Sequence, residues 1–234
     1  MTGGHATIAA LSLAVALAPG GLASGAVATT WDEVVASYDR VRDYTALYEK
    51  EERAISNGER QTIRLSFRKP LDVRLDWLND EGKVDQTAVY RQGQNDGKLV
   101  ARRRGLLGSL AGKVMLDPHD RMALQDSRHP ITEVGIAHVI GLVSDGLRSG
   151  RLTAARVRDA PLDGRDADEF AFEAGTGVDA MGVEGARRAM VWIDRELKLP
   201  VQVSVLGADG TTLERHRFKD LRVNVGLPDT TFSM

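Results

Sequence analysis

The stretch SRHPITEVGIAHVIGLVSDGLRSG, residues 127–150, decides the fold because it predicts one long helix that is apolar on almost every side. Pro130 suits the first helical position, and Arg148 and Gly150 are typical of a helix end. The apolar side chains recur at helical spacing and are Ile131, Val134, Ile136, Val139, Ile140, Leu142, Val143 and Leu147. We therefore expect a buried helix that begins at Pro130 and ends near Gly150.

The apolar side chains of the predicted helix must be covered by another part of the protein or by a membrane. Leaving its eight aliphatic side chains in water, at ~1.5–3 kcal/mol each, costs on the order of ten kcal/mol. A bilayer is a poor candidate, because Glu133 and His138 interrupt the apolar run and the run is shorter than the ~20 residues that a membrane span needs. The remaining candidate is the strand-rich chain on both sides of the helix.

Strand patterns fill most of the remaining chain. Residues 63–67 and 71–77 alternate apolar and polar side chains, as strands with one buried face do. Thr30 and Glu33 form a capping box at the start of a short helix, and residues 105–126 predict a loop or lid. Similar runs elsewhere give about nine or ten short strands. We therefore predict an α+β fold in which a curved antiparallel sheet, an incomplete β-barrel, encloses the central helix or is capped by it.

Residues 1–28 predict a cleavable secretory signal. An apolar stretch is followed by Pro19 and Gly20, and Ala26 to Ala28 fit the small-residue cleavage pattern, so we place cleavage after Ala28. A buried N-terminal helix is the alternative. Residues 29–234 are then expected to form a single periplasmic domain without a stable membrane anchor. The chain has no cysteine, which excludes disulfides, thiolate metal sites and a lipid-modified cysteine.

Charge limits the partners that the sequence allows. The net charge is −2 with both signs interspersed, so we expect no nucleic-acid partner. The densest basic run, Arg102 to Arg104, has three charges, fewer than the roughly four to eight typical of a basic patch that binds an anionic surface.

Possible metal ligands gather before and inside the central helix. His119 and His129, with carboxylates that include Glu133, keep a metal-dependent hydrolase open as a third hypothesis. Acidic residues at a helix start have an ordinary capping role, and His138 is typical of a hydrogen-bonded core histidine. We therefore expect no catalytic residues, no resident metal and no cofactor.

An apolar concavity is the stronger prediction. The inner faces of the strands and the central helix would line it with Leu65, Phe67, Val73, Leu75, Trp77, Ile140 and Val203. If the helix fills the concavity only in part, a hydrophobic ligand fits; if it fills it fully, the same residues are plain core. The sequence leaves both alternatives open.

Two motifs resemble known families. The segment FRKP, residues 67–70, and the C-terminal third resemble the LolA/LolB-like periplasmic lipoprotein-carrier fold. The segment RHPITEVGI, residues 128–136, resembles an exported bacterial family of unknown function related to that fold. The first resemblance implies that Arg68, with Pro70, is a latch for a helical lid. The alternative is that Arg68 lies on the solvent-facing side of its strand, because it alternates with Phe67. The second implies a structural role at the helix start for Arg128, His129, Pro130 and Glu133.

The resemblance implies a soluble periplasmic protein that binds a lipid, a lipoprotein acyl chain or another hydrophobic ligand. Such a protein would carry its ligand between membrane-associated donor and acceptor proteins, without catalysis. The alternative keeps the fold and makes it an interaction or sensor module of the cell envelope, with residues 105–126 as the partner surface.

Overall fold

The computed structural model describes residues 29–56, 58–103 and 112–234. The predicted signal, residues 1–28, and residues 105–111 of the predicted lid lie outside the described residues. Three α-helices, four short 3₁₀ helices and eleven strands make up the described chain. The α-helices are α1 Trp31–Asp39, α2 Arg53–Ser56 and α3 Ile136–Arg148. The strands are β1 Asp43–Glu52, β2 Arg60–Arg68, β3 Asp72–Leu78, β4 Val84–Arg91, β5 Leu99–Arg103, β6 Val114–Leu116, β7 Leu152–Asp159, β8 Ala167–Ala174, β9 Ala186–Asp194, β10 Leu199–Gly207 and β11 Thr212–Val223.

All eleven strands belong to one open antiparallel sheet in the order β6-β5-β4-β3-β2-β1-β11-β10-β9-β8-β7. Strands β1–β6 and β7–β11 are two meanders that join where β1 pairs with β11. The predicted fold class is confirmed. The structure has one strand more than the nine or ten predicted. This strand, β6, lies within residues 105–126, where the irregular sequence predicted only a loop or lid. Within the described residues, no helix is long and apolar enough to cross a membrane.

The predicted alternation in β2 and β3 is confirmed by their pairing. Leu65 lies opposite Leu75, and Phe67 lies opposite Val73. All four side chains are buried. Because successive side chains of a strand point to opposite faces, this register places the apolar set on one inner face of the sheet.

The central helix begins later than the sequence predicts. Pro130 precedes a short 3₁₀ helix, Ile131–Glu133, and α3 starts only at Ile136. Gly135 separates the two with a φ of 111°, a conformation that side-chain-bearing residues rarely adopt. A Cβ at Gly135 would also meet Oη of Tyr44, which accepts the Ile136 N–H at 3.0 Å. The close approach of Tyr44 therefore requires glycine at position 135, and the positive φ of Gly135 separates the two helices.

Helix α3 covers only one half of the inner face. Four of its predicted apolar side chains are buried, namely Ile136, Val139, Ile140 and Val143, whereas Leu142 and Leu147 are only partly buried. The helix packs on β7 and β10. The Trp31 indole of α1 donates to Ser144 Oγ of α3 at 3.0 Å, and Leu152 of β7 packs against Gly146. The inner face of β3–β6 is left to the chain between β6 and α3.

Candidate functional site

The cavity with the most apolar lining, called the main cavity below, lies between β3–β6 and the segment that connects β6 to α3. Its volume is about 310 Å³. Apolar side chains line most of it, namely Ile63, Leu75, Trp77, Ala88, Leu99, Ala101, Val114, Leu116, Met122, Ala123, Ile131 and Val134. The polar lining residues are Tyr48, Lys50, Gln86, Arg102, Gln125, Asp126, Ser127 and His129. The lining is therefore apolar with a polar edge, as in small-molecule sites.

Small side chains on neighbouring strands create this space. Ala88 of β4 lies opposite Leu75 of β3 on one side and Ala101 of β5 on the other. A larger residue at either alanine would project into the cavity. The Trp77 indole lines it nearby and donates to Gln61 Oε1 at 3.2 Å. The cavity thus results from residue size as well as from the position of α3.

The predicted cavity residues separate into two groups. Leu75 and Trp77 line the main cavity. Val203 lines a second pocket of about 40 Å³ beside α3, which shares Tyr48, His129 and Val134 with the main cavity. Four predicted residues are buried but line neither the main cavity nor the second pocket, namely Leu65, Phe67, Val73 and Ile140.

Arg68 lies on the outer face and holds the C-terminal segment. Its guanidinium donates to Asp72 Oδ2 at 2.6 Å, to Asp229 Oδ1 at 2.7 Å and to the Leu227 carbonyl at 3.2 Å. It also stacks over the Phe232 ring, 4.8 Å from the ring centre. The resemblance implied a latch to a helical lid. Among the described residues, Arg68 instead fastens the final 3₁₀ helix, Asp229–Phe232, and Pro70 lies in the β2–β3 turn.

The inner face of β1 changes from apolar to charged along its length. Tyr44, Ala46 and Tyr48 are followed at the same period of two by buried Lys50 and Glu52. The Lys50 ammonium donates to the Asp126 carbonyl at 2.9 Å and lies 3.6 Å from Glu52. Burial lowers the pKa of Lys50, against the attraction of Glu52. The cavity therefore has one buried charged edge.

Glu214 of β11 is the centre of a buried polar network at that edge. Its Oε2 lies 2.9 Å from His129 Nε2 and 3.2 Å from His216 Nε2. Burial disfavours its charge, but the hydrogen bonds and positive charge of the two histidines outweigh burial and lower the pKa of Glu214 to about 2. Because an ionised carboxylate only accepts, both Nε2 atoms donate to it. His216 Nδ1 in turn lies at hydrogen-bond distance, 2.7 Å, from the Tyr48 hydroxyl.

The segment before the helix fastens this network to the sheet. The Arg128 N–H donates to Glu52 Oε2 at 2.8 Å, and its guanidinium Nε lies 3.1 Å from Glu214 Oε1. Burial opposes protonation of His129, but its contacts with Glu214 raise its pKa. Arg128 and His129 therefore attach the chain before Pro130 to β1 and β11.

Metal-capable side chains surround His129 in two overlapping groups. One contains Glu52, His129 and His216, and the other contains His129, Glu133 and His138. Burial lowers the pKa of His138, which favours its neutral form. His119 belongs to neither group. It is exposed beside Asp117, so the convergence of His119 and His129 that the hydrolase hypothesis needs does not occur.

Sequence reasoning missed Lys50, Glu52, Glu214 and His216. One signal was available, because each occupies an inward position in the period of two of β1 or β11. The register pairs Lys50 with His216 and Glu52 with Glu214. Charged residues at successive inward positions indicate a buried polar cluster, but only the pairing brings them together.

Comparisons with known proteins support the fold and a family. The family described as "protein of unknown function (DUF1571)" matches residues 41–234. The comparison with curated proteins finds no match.

Solved structures match over most of the described chain. One chain in the Pseudomonas aeruginosa MucA/MucB complex has TM-score 0.52 and 19% identity, over 89% of this chain and 61% of that chain. This chain thus spans about three fifths of the matched one. An uncharacterised conserved protein from Thermus thermophilus has TM-score 0.50 and 10% identity, over 86% of this chain and 91% of that chain. A LolA superfamily protein from Nitrosomonas europaea matches with TM-score 0.34 and 10% identity, over 88% and 99%.

Proposed function

The chain belongs to the DUF1571 family of proteins of unknown function, and we propose that this member is a periplasmic binding protein for a single acyl chain. The ligand would be a lipid, a lipoprotein acyl group or another single-chain amphiphile. The observation that carries the proposal is the apolar cavity of about 310 Å³ between β3–β6 and the β6–α3 connection. The protein acts by binding and release, without catalysis or a cofactor.

The size of the cavity favours one chain over several. Its volume is at the lower end of the ~300–1,000 Å³ typical of small-molecule sites. Burying each methylene contributes ~0.8 kcal/mol, so a chain of about ten methylenes supplies roughly 8 kcal/mol before the entropy lost on association is subtracted. Because ~8 kcal/mol alone corresponds to a Kd of about 1 μM, we expect a net affinity weaker than micromolar.

The opening of the cavity suits exchange with a membrane or a partner. Val114 and Met122 line the cavity and are nevertheless exposed. Arg102 also lines the cavity and is exposed, where it suits an anionic headgroup. Donor and acceptor proteins at the membrane would dock here. Export through the predicted signal, with cleavage near Ala28, is part of the same proposal.

An interaction or sensor module of the cell envelope is the second candidate. The exposed side chains of Val114 and Met122 at the cavity opening favour it, because exposed apolar side chains mark protein contacts as well as ligand entrances. One matched chain of this fold is part of a MucA/MucB complex. In this candidate the cavity would take no transported ligand.

Fluorescence titration with dodecanoate, below its critical micelle concentration, tests the binding proposal. Trp77 lines the cavity, so we expect its emission to shift on binding and the shift to disappear in Trp77→Phe. Ala101→Phe should fill part of the cavity. If it excludes about three methylenes at ~0.8 kcal/mol each, Kd rises roughly fifty-fold.

Ala154→Phe is the matched control, because Ala154 is an exposed alanine on β7, away from the cavity. It should bind dodecanoate as the wild type does. Equal affinity of Ala101→Phe and Ala154→Phe, or no saturable binding by the wild type, would refute the acyl-chain proposal and favour the interaction module.

A further inference from the structure

Two histidines and a carboxylate converge beside the cavity. Glu133 Oε2 lies 3.4 Å from His129 Nδ1 and 3.8 Å from His138 Nε2, and one ligand atom from each residue lies within 4.8 Å of the other two. We propose that these three side chains bind a divalent transition-metal ion of the Zn²⁺ type. This proposal does not depend on the acyl-chain function.

The donor set and spacing fit such an ion. Imidazole nitrogen and carboxylate oxygen bind Zn²⁺ at about 2.0–2.2 Å, and two ligands of a tetrahedral ion at that distance lie about 3.4 Å apart. The contacts of Glu133 already match this separation to within about half an ångström. Only the two histidines need to approach each other. Three protein ligands leave the fourth position to water or to an anionic group.

The Glu214 carboxylate orients the His129 ring so that its other nitrogen is available as a metal ligand. His129 Nε2 donates to Glu214 at 2.9 Å, which leaves Nδ1 directed at Glu133. A metal-binding histidine usually donates its other ring N–H to such a carboxylate, which fixes the tautomer and the ring orientation. Glu214 is itself held by His216 and Arg128. The supporting shell of a metal site is therefore present on β11 and the loop before α3.

The backbone places the three ligands on one side of the chain. Glu133 ends the short 3₁₀ helix, and His138 lies in the first turn of α3. Between them, Gly135 has a φ of 111°, which interrupts the helix and turns the chain. The helix break that the sequence did not predict is thus the feature that brings Glu133 to His138.

The competing group of Glu52, His129 and His216 is less suited to an ion. Both ring nitrogens of His216 are already engaged, one with the Tyr48 hydroxyl and one with Glu214. The proposed ligands are more accessible, since the side chains of His129, Glu133 and His138 are 19%, 40% and 29% exposed. An ion can therefore reach them from solvent.

Isothermal titration of the untagged, chelator-treated full chain with Zn²⁺, without lipid, tests the site. We expect one equivalent to bind. His138→Ala should weaken this binding by about ten-fold or more, because it removes a ligand. Glu214→Gln should weaken it by about 10–100-fold, because the orientation of His129 is lost. Titration with Co²⁺ should give the intense visible absorption of a four-coordinate ion.

His119→Ala is the matched control, because His119 is an exposed histidine outside the site. It should bind Zn²⁺ with unchanged affinity, and circular dichroism should show that every variant is folded. The proposal is overturned if the wild type takes up no Zn²⁺, if folded His138→Ala binds as tightly as the wild type, or if His119→Ala removes the binding.

Discussion

Glu214→Gln should destabilise the protein by about 3 kcal/mol at pH 5.5. The Glu214 side chain is 3% exposed, and its pKa falls from an ordinary 4.5 to about 2 because hydrogen bonds from His129 and His216 outweigh burial. Each pKa unit corresponds to ~1.36 kcal/mol, so a shift of this size stabilises the folded state by about 3 kcal/mol. Glutamine keeps the shape of the side chain and removes its charge.

The sign of the pH dependence follows from the two partners. A lowered carboxyl pKa contributes stability that is complete above pH 4.5 and is lost as the pH falls through about 2. The raised pKa of His129 contributes stability that is complete below pH 6.5 and is lost as the pH rises through the raised value. Both contributions are therefore present near pH 5.5.

Urea unfolding of the chelator-treated protein measures the effect. The difference between wild type and Glu214→Gln should be largest near pH 5.5 and should shrink towards pH 2. Glu173→Gln is the control, because Glu173 pairs with Arg188 at the surface and should change the free energy of unfolding by less than about 1 kcal/mol. Equal stability of Glu214→Gln and wild type at pH 5.5, or a difference that stays constant down to pH 2, would refute the reasoning.

Three further substitutions test how the chain is held around the site. Tyr44→Phe leaves the buried Ile136 N–H without its acceptor and should lower the free energy of unfolding by about 1–3 kcal/mol in urea. Gly135→Ala should lower it by more than about 1 kcal/mol, and part of that loss should be absent in a Tyr44→Phe background, because the added Cβ meets Oη of Tyr44. Arg68→Ala should increase hydrogen exchange in the segment Asp229–Phe232, while Zn²⁺ and dodecanoate affinities stay unchanged. Unchanged stability of the first two variants, or unchanged exchange in the third, would contradict these contacts.

Much of the fold follows from local signals. The capping box of Thr30 and Glu33 is present, with Glu33 Oε2 accepting the Thr30 N–H at 2.7 Å. The alternation around Leu65 and Leu75 correctly predicted which side chains lie on the inner face of the sheet, because side chains of a strand alternate between its two faces. Strand β6 was missed because three residues are too few to establish a period.

The site was less predictable because its contacts are long-range. Glu52 and Arg128 are 76 positions apart, and His129 and Glu214 are 85 apart. Only the pairing of β1 with β11 and the return of the chain before α3 bring them together. The need for a glycine at position 135 is also a long-range effect. It depends on Tyr44, whose hydroxyl accepts the N–H of Ile136, 92 positions along the chain.

The most direct test of the acyl-chain proposal is native mass spectrometry of the protein purified from the periplasm, followed by lipid extraction. We expect a bound species whose mass corresponds to a single-chain amphiphile, retained by Ala154→Phe and lost or strongly reduced in Ala101→Phe. A ligand-free mass for the wild type, together with no uptake of added dodecanoate, would contradict the account.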